Sequence, residues 1–370
     1  MKYYVIAGEA SGDLHGSNLL KAIKEEDEQA EFRCWGGDLM QSQGATIVKH
    51  YRDLAFMGFT EVLLNIGTIV KNIRFCKADI LAFNPDVLIL IDYPGFNLRI
   101  AEFAHENSIR VFYYISPQIW AWKQNRVFKI RKVVERMYVI LPFEKDFYAR
   151  FNVDVTFVGH PLLDAIQTFV PDSEFRQRHG ITNQPIIALL PGSRKQEISK
   201  MLPEMLQSIK SLDTCIPIIA GAPSIDPAQY QEWSGGTQVK VISGETYQLL
   251  SHSQAALVTS GTATLETALF SVPEVVCYKG GQLSYWLARR LIKVKYISLV
   301  NLILDRMAVP ELIQDDMNAR KIEQTLSTLI QEGKERTAQL QDFSELKIKL
   351  GGPGASKRAA QDMVMRLMKS

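Results

Sequence analysis

Apolar positions along the chain fall into short β-branched or aromatic runs, each followed by a longer stretch with helical spacing. In the first half these runs predict strands at Tyr3–Ala7, Phe32–Trp35, Val87–Asp92, Val111–Ile115, Met137–Leu141 and Val155–Gly159. Val87-Leu-Ile-Leu-Ile91 is apolar at every position, as a strand covered by helices on both faces must be. Helical patterns lie between the runs, at Leu14–Lys24, Leu98–His105 and Lys123–Val134. After a proline-containing break at Phe169-Val-Pro-Asp-Ser173 the rhythm restarts. Strands are predicted at Ile186–Leu190, Ile216–Ala220, Val239–Ile242, Ala256–Thr259 and Val275–Tyr278. Such alternation predicts an α/β protein of two Rossmann-like domains, each built on a parallel sheet, with a cleft between them. Gly351-Gly-Pro-Gly-Ala-Ser356 breaks the chain again before a last helix near Lys357–Met368. Its Ala360, Met363, Val364 and Leu367 share one face and need a surface to dock on. The expected division is therefore 1–168, 169–350 and a terminal helix within 351–370.

Composition narrows the class without changing it. With 370 residues, 46% hydrophobic and 22% charged, the chain is globular and long enough for two cores, which excludes a disordered or fibrous protein. The net charge of +2 gives no argument for a nucleic-acid partner. No stretch approaches the roughly 20 apolar residues of a membrane-spanning helix, and the first apolar run is too short for a signal peptide. Cys34, Cys76, Cys215 and Cys277 are far apart, with no C-x-x-C pair, and fit a reducing, cytoplasmic setting as small buried hydrophobes. No metal-binding motif occurs, so neither a metal nor a cofactor is expected.

Four strand ends carry candidate chemistry. The first strand runs into Ala7-Gly-Glu-Ala-Ser-Gly-Asp-Leu-His-Gly16, whose glycines are spaced four apart and so lack the dinucleotide fingerprint. Glu9 and Asp13 would repel a pyrophosphate there, and a hydroxyl-rich ligand suits the loop better. Ser11 or Asp13 could equally serve as a helix cap. Asp92 ends the most apolar strand, where partial desolvation raises a carboxyl pKa and makes a better base; a loop carboxylate satisfied by backbone N–H groups is the plainer alternative. Leu190-Pro-Gly-Ser193-Arg194 places a turn and a guanidinium after a buried strand, an arrangement suited to phosphate. Ser260-Gly261-Thr262-Ala-Thr-Leu-Glu266 opens a helix whose free N–H groups attract phosphate oxygens, while Glu266 can accept from two vicinal ribose hydroxyls. No Walker lysine motif accompanies them.

Two segments point toward a lipid surface. Leu54-Ala-Phe-Met-Gly-Phe-Thr-Glu-Val-Leu-Leu-Asn-Ile66 is almost wholly apolar and lies outside the strand rhythm, so it reads either as a core helix or as an exposed apolar patch. Lys123 to Arg136 holds six basic residues against Glu135, either a solvated helix face or a contact for anionic lipid. Arg289, Arg290, Lys293 and Lys295 form a similar cluster.

Taken together, these segments closely resemble the lipid-A-disaccharide synthases, glycosyltransferases of the two-Rossmann-domain (GT-B) type from Gram-negative bacteria. The resemblance lies in Ala7-Gly-Glu-Ala-Ser-Gly-Asp13, Phe56-Met-Gly-Phe-Thr-Glu-Val62, Ile91-Asp-Tyr-Pro-Gly-Phe-Asn97 and Ser116-Pro-Gln-Ile-Trp-Ala-Trp122. It continues through Leu141-Pro-Phe-Glu144, Gly159-His-Pro-Leu162, Leu190-Pro-Gly-Ser-Arg194, Ser260-Gly-Thr-Ala-Thr-Leu-Glu266 and Tyr296-Ile-Ser-Leu-Val-Asn-Leu302. It implies transfer of 2,3-diacylglucosamine from UDP to the 6-hydroxyl of 2,3-diacylglucosamine 1-phosphate with inversion, giving the β-1,6 disaccharide phosphate of lipid A and UDP. It places the critical acid on Asp92, with Glu9 and Ser11 as further catalytic positions. UDP falls to Arg194, Ser193, Gly261, Thr262, Glu266 and Asn301. Phe56, Met57, Phe59, Val62 and Leu63 match the family's membrane-facing, acyl-binding region, implying peripheral association with the cytoplasmic face of the inner membrane. Many members carry a second carboxylate where this chain has Gly95. The rival expectation is a UDP-sugar transferase or epimerase acting on a soluble substrate, and nothing in the sequence bears on oligomeric state.

Overall fold

The computed structural model describes residues 1–54, 66–212, 214–281 and 294–369. It divides the chain into two compact units, Met1–Asp164 with Leu350–Ser370, and Ala165–Lys349. The break expected after residue 168 lies just past the helix Leu162–Gln167, whereas the structural boundary falls within it.

The first unit is built on seven strands: β1 Lys2–Ala7, β2 Glu31–Gly36, β3 Thr46–His50, β4 Val87–Ile91, β5 Arg110–Tyr114, β6 Arg136–Val139 and β7 Val155–Phe157. Their order is β3-β2-β1-β4-β5-β6-β7 and every pairing is parallel. The second unit has β8 Ile186–Leu190, β9 Ile216–Gly221, β10 Lys240–Ser243, β11 Ser253–Thr259, β12 Glu274–Tyr278 and β13 Glu311–Ile313, ordered β10-β9-β8-β11-β12-β13, again all parallel. Every residue of β4 and β8 is buried, because helices cover both faces of each sheet. The sequence pattern does not reveal β3 and β13. Both are edge strands that stay half-buried, so neither needs a continuous apolar run.

In each sheet the strand order reverses direction once, between β1 and β4 and between β8 and β11. Ligands of open parallel sheets bind outside the carboxyl ends of the strands at such a reversal. Register sharpens this. Ala7 lies opposite Ile91, so Gly8-Glu9 and Asp92 leave the first sheet side by side. Val258 lies opposite Leu190, so the loops beginning at Pro191 and Ser260 leave the second sheet together.

The last helix, Ala355–Met368, packs against the helix Ala10–Glu26 and adds Ala359, Ala360, Met363 and Val364 to the first unit's core. The returning chain is pinned at the Leu350 carbonyl, which accepts from His160 N–H at 3.2 Å, and at Gly354 N–H, which donates to Asp164. His160 is thus a buried structural residue, its imidazole pushed down to about 3 by burial and then by His15. No helix among the described residues is long and apolar enough to cross a membrane.

Candidate functional site

At the reversal point of the first sheet, Asp92 and Tyr93 follow β4 in consecutive left-handed conformations, with φ of 40° and 48°. Such backbone is costly for non-glycine residues and persists only when its surroundings hold it. Here the Asp92 carbonyl accepts from the Tyr113 hydroxyl at 2.5 Å and from Asn97 Nδ2 at 2.8 Å, while the Asp92 N–H donates to the Ile115 carbonyl at 3.3 Å. Asn97 reaches back because the chain turns helical at once: Pro94 opens the helix Pro94–Glu106, four residues before the start expected from the apolar pattern. The Asp92 side chain keeps an exposed face, yet protein surrounds its remaining sides. That desolvation, with the Glu9 charge second, pushes its pKa up to about 6. An acid of this kind is ionised at neutral pH and basic enough to accept a proton from a hydroxyl as that hydroxyl attacks.

Glu9, whose charge acts on Asp92, is exposed, and so is Ser11. Glu9 occupies the N-cap position of the helix Ala10–Glu26, but its carboxylate caps nothing and stays available. Gly8 is required for this closeness: a Cβ there would meet the Tyr93 ring at 2.4 Å. Neither Ser11 nor Asp13 caps that helix. Asp13 is buried instead, and its carboxylate accepts from the N–H groups of Gly37, Leu39 and Met40 at 2.7–3.1 Å, holding the start of the helix Asp38–Ser42. That role removes Asp13 from the candidate bases.

At the second sheet's reversal point the loops after β8, β9 and β11 enclose a cavity of about 410 Å³, lined by Gly192, Ser193, Arg194, Thr259, Ser260, Gly261, Thr262 and Glu266 among others. Gly192, at φ 97°, lets the loop cross close to Thr259. The helix Thr262–Leu269 begins at Gly261, which has no side chain to cap it, so its first N–H groups and the positive end of its dipole face the cavity. Arg194 is 71% exposed and, among the described residues, ion-paired with Glu197 at 3.0 Å, so its guanidinium can be recruited by an anion. Glu266 accepts from the Tyr247 hydroxyl at 3.2 Å, and burial raises its carboxyl above the ordinary range, an energetic incentive to take hydroxyl donors. The arrangement suits a ligand that carries both phosphate and a diol. Sequence reasoning missed Glu197, the Ala220–Pro223 wall and Thr246, which share no local motif with the turns they face.

Asn301 does not join this lining. It is fully buried, its amide donating to the Val309 carbonyl and Glu311 Oε1 and accepting from Ala308 and Val309 N–H, all at 2.8–2.9 Å. With every polar atom engaged it shapes the loop before β13 rather than touching a ligand, which corrects the UDP-binding expectation. Phe56, Met57, Phe59, Val62 and Leu63 lie outside the described residues, as do Arg289, Arg290 and Lys293. Among the described residues no group of three or more His, Cys, Asp or Glu side chains is placed to hold a metal ion.

Comparison with known proteins supplies the family. The family model described as lipid-A-disaccharide synthetase matches residues 3–364. A lipid-A-disaccharide synthase of Syntrophus aciditrophicus is 40% identical over 99% of this chain and 97% of its own length. That of Pseudomonas fluorescens is 38% identical over 91% of each. Among solved structures, a UDP-GlcNAc 2-epimerase from Neisseria meningitidis bound to UDP-GlcNAc superposes with a TM-score of 0.69 at 14% identity, covering 100% of both chains. The calicheamicin glycosyltransferase CalG4 gives 0.61 at 15% identity, covering 100% of this chain and 98% of the other. At these identities the last two establish shared architecture, the pair of Rossmann-like domains of the GT-B type.

Proposed function

The chain belongs to the lipid-A-disaccharide synthase family, and from that premise we propose how its residues carry out the transfer. The reaction moves 2,3-diacylglucosamine from UDP to the 6-hydroxyl of 2,3-diacylglucosamine 1-phosphate and releases UDP. Asp92 takes the proton from the 6-hydroxyl as that oxygen bonds to the donor's anomeric carbon. The bond from that carbon to the UDP oxygen breaks on the opposite face, and its electron pair leaves with UDP, inverting the centre. The departing charge is met by the N-terminus of the helix Thr262–Leu269, whose fixed dipoles need no reorganisation during the reaction, by Ser193, and by Arg194, which the phosphates draw away from Glu197. Glu266 accepts from the ribose hydroxyls. Glu9 raises the basicity of Asp92 and, with Ser11, binds acceptor hydroxyls.

The unit Met1–Asp164 with Leu350–Ser370 takes the acceptor and faces the membrane, and Ala165–Lys349 takes the UDP-sugar. The observation that carries this reading is the position of the acid and of the phosphate-suited cavity, each at its sheet's reversal point. Peripheral attachment to the cytoplasmic face of the inner membrane is supported by Trp122 and Phe128, each about half exposed. Lys123, at 4.2 Å, and Arg126 lie against the Trp122 ring and Arg131 against Phe128, the mixture of aromatic and cationic groups that suits an anionic lipid interface. Phe56, Met57, Phe59, Val62 and Leu63 are the residues we assign to the acyl chains, from the family resemblance of their sequence.

The test is incubation of purified protein with UDP-2,3-diacylglucosamine and 2,3-diacylglucosamine 1-phosphate, with and without EDTA, and detection of the disaccharide by mass spectrometry. Product in both samples, lost in Asp92→Ala while UDP binding persists, supports the reading. Turnover of UDP-N-acetylglucosamine without disaccharide would refute it in favour of a soluble-substrate enzyme.

A further inference from the structure

Glu311, the first residue of β13, spends its carboxylate on one short stretch of chain. Its Oε1 accepts from the N–H groups of Ile297 and Ser298 at 3.1 and 2.9 Å and from Asn301 Nδ2 at 2.8 Å, and its Oε2 accepts from Ile297 N–H at 3.0 Å. These donors sit at the entry to the helix Leu299–Leu304. Ser298 already caps that helix, its hydroxyl accepting from Asn301 N–H at 3.2 Å, so the carboxylate is not required merely to start it. What the carboxylate adds is a fixed place for the peptide that joins Ile297 to Ser298. That peptide is planar and trans, so its N–H and its carbonyl point in opposite directions. The N–H meets Glu311, and on the other side the Ile297 carbonyl accepts from the Ser260 hydroxyl at 2.8 Å.

Ser260 follows β11 directly and, with Gly261 and Thr262, lines the phosphate-suited cavity. Gly261 sits at φ 140°, and a Cβ there would meet nothing within 4 Å, so the backbone conformation rather than space calls for glycine. Glycine moves among conformations at little cost, and a turn built on it has to be held from outside. One anchor comes from the turn's own helix, where Thr264 Oγ1 donates to the Gly261 carbonyl at 2.8 Å. The other is the bond from Ser260 to Ile297. We propose that Glu311 is a positioning residue for UDP: by clamping the Ile297–Ser298 peptide it holds Ser260, and through Ser260 the turn whose N–H groups face the phosphates. The proposal rests on the reading of this cavity as the UDP site.

Two details make the chain of contacts specific. A carboxylate that accepts from the N–H of a peptide polarises the whole unit, so the Ile297 carbonyl becomes a stronger acceptor for Ser260. With its one hydrogen given to Ile297, Ser260 Oγ has only lone pairs to offer a ligand. Phosphate oxygens are therefore left to the N–H groups of the turn, and it is their aim that the clamp governs. Asn301 reaches the same carboxylate by its side chain, on a branch that bypasses this peptide. Losing Asn301 leaves both N–H bonds from 297 and 298 in place, whereas losing Glu311 removes them together.

The experiment is a double-mutant cycle on UDP binding, by calorimetry on full chains whose folding is checked by circular dichroism. Glu311→Ala is expected to raise the Kd for UDP about tenfold and Ser260→Ala about fivefold. If Glu311 acts through Ser260, the double variant is expected at about tenfold, not at the roughly fiftyfold product of two independent losses. Glu311→Gln keeps one oxygen, and all three donors reach Oε1 in the native clamp, so it is expected to recover affinity to within about threefold of wild type. KM for the UDP-sugar should rise with the Kd while KM for the acceptor stays. Independent losses in the double variant, wild-type UDP affinity in Glu311→Ala, or an equal loss in Asn301→Ala would overturn the proposal and leave Glu311 a structural buttress. If Glu311→Ala does not fold, the cycle is run with Glu311→Gln, where about fivefold in the double variant supports the link and about fifteenfold overturns it. If wild type binds no UDP, the reading of the cavity has failed and the proposal falls with it; UDP binding with independent losses sinks the proposal alone.

Discussion

Replacing Glu274 by glutamine should stabilise this protein by an amount that grows with pH. Glu274 opens β12 and is fully buried. Gln339 clasps its backbone, accepting from its N–H at 2.7 Å and donating to its carbonyl at 3.2 Å, but neither carboxyl oxygen has a hydrogen-bond partner among the described residues. An unpaired carboxylate in such a place is prohibitively costly, so burial holds its pKa well above the ordinary value of 4.5 and the folded state keeps the proton. The unfolded chain loses that proton near 4.5. A raised folded pKa thus contributes stability that is fully present below 4.5 and is lost as pH rises, at about 1.4 kcal/mol per pH unit, until the folded group itself ionises. Glutamine keeps the shape and cannot ionise, and its own unpaired amide adds an offset that does not depend on pH. The stability gap between variant and wild type should therefore widen with pH above 5.5, at up to about 1.4 kcal/mol per unit while the folded group keeps its proton, which in a unit of this size is about 4 °C in Tm per pH unit. Urea unfolding of both proteins at pH 5.5, 6.5 and 7.5, followed by far-UV circular dichroism, measures the gap directly. Parallel curves would refute the reasoning, because they would require a carboxylate that is already charged in the fold.

The acidic limb of kcat/KM should have its midpoint near pH 6, activity rising as Asp92 ionises, and Glu9→Gln should move that midpoint down by removing a neighbouring negative charge; an unmoved midpoint would separate the two carboxylates. Asn301→Ala should cost about 2–4 kcal/mol in urea unfolding by stranding two N–H groups and a carbonyl. UDP affinity of the folded variant, by calorimetry, should change less than about threefold, because a lost contact rather than a lost scaffold would cost more. Glu266→Gln should weaken UDP binding about tenfold, the effect of one charge-assisted hydrogen bond, in the same calorimeter. Trp122→Ser with Phe128→Ser should reduce co-sedimentation with anionic vesicles, and unchanged sedimentation would place the lipid contact elsewhere.

What the sequence made legible, and what it concealed, follows from how far each interaction reaches along the chain. Central strands such as β4 and β8 announce themselves because burial on both faces forbids polar residues at every position, a purely local demand. Asp92, Arg194, Gly261 and Glu266 were legible for a related reason: each follows such a strand within a few residues, and a parallel sheet delivers the carboxyl ends of its strands to one edge. Edge strands β3 and β13 escaped because half-burial imposes no such rule. Polar residues beside the motifs were harder still, since the chemistry of a side chain does not say which way it points. Asp13 stands in the same loop as Glu9 but turns inward to hold a helix that starts 25 residues later, at Asp38. Asn301 stands in a recognisable motif and spends all its bonding capacity on residues 308–311. Motif membership therefore says that a residue matters, while the partner of its polar atoms says how. Asp92 is the informative case between the two: its place at the end of β4 is readable from the apolar run before it, and the clasp of its backbone by Tyr113 and Ile115 exists only once β4 and β5 are paired. A residue with one local and one distant set of partners is where a structure adds most to a sequence, and it is there that a substitution should separate folding from rate.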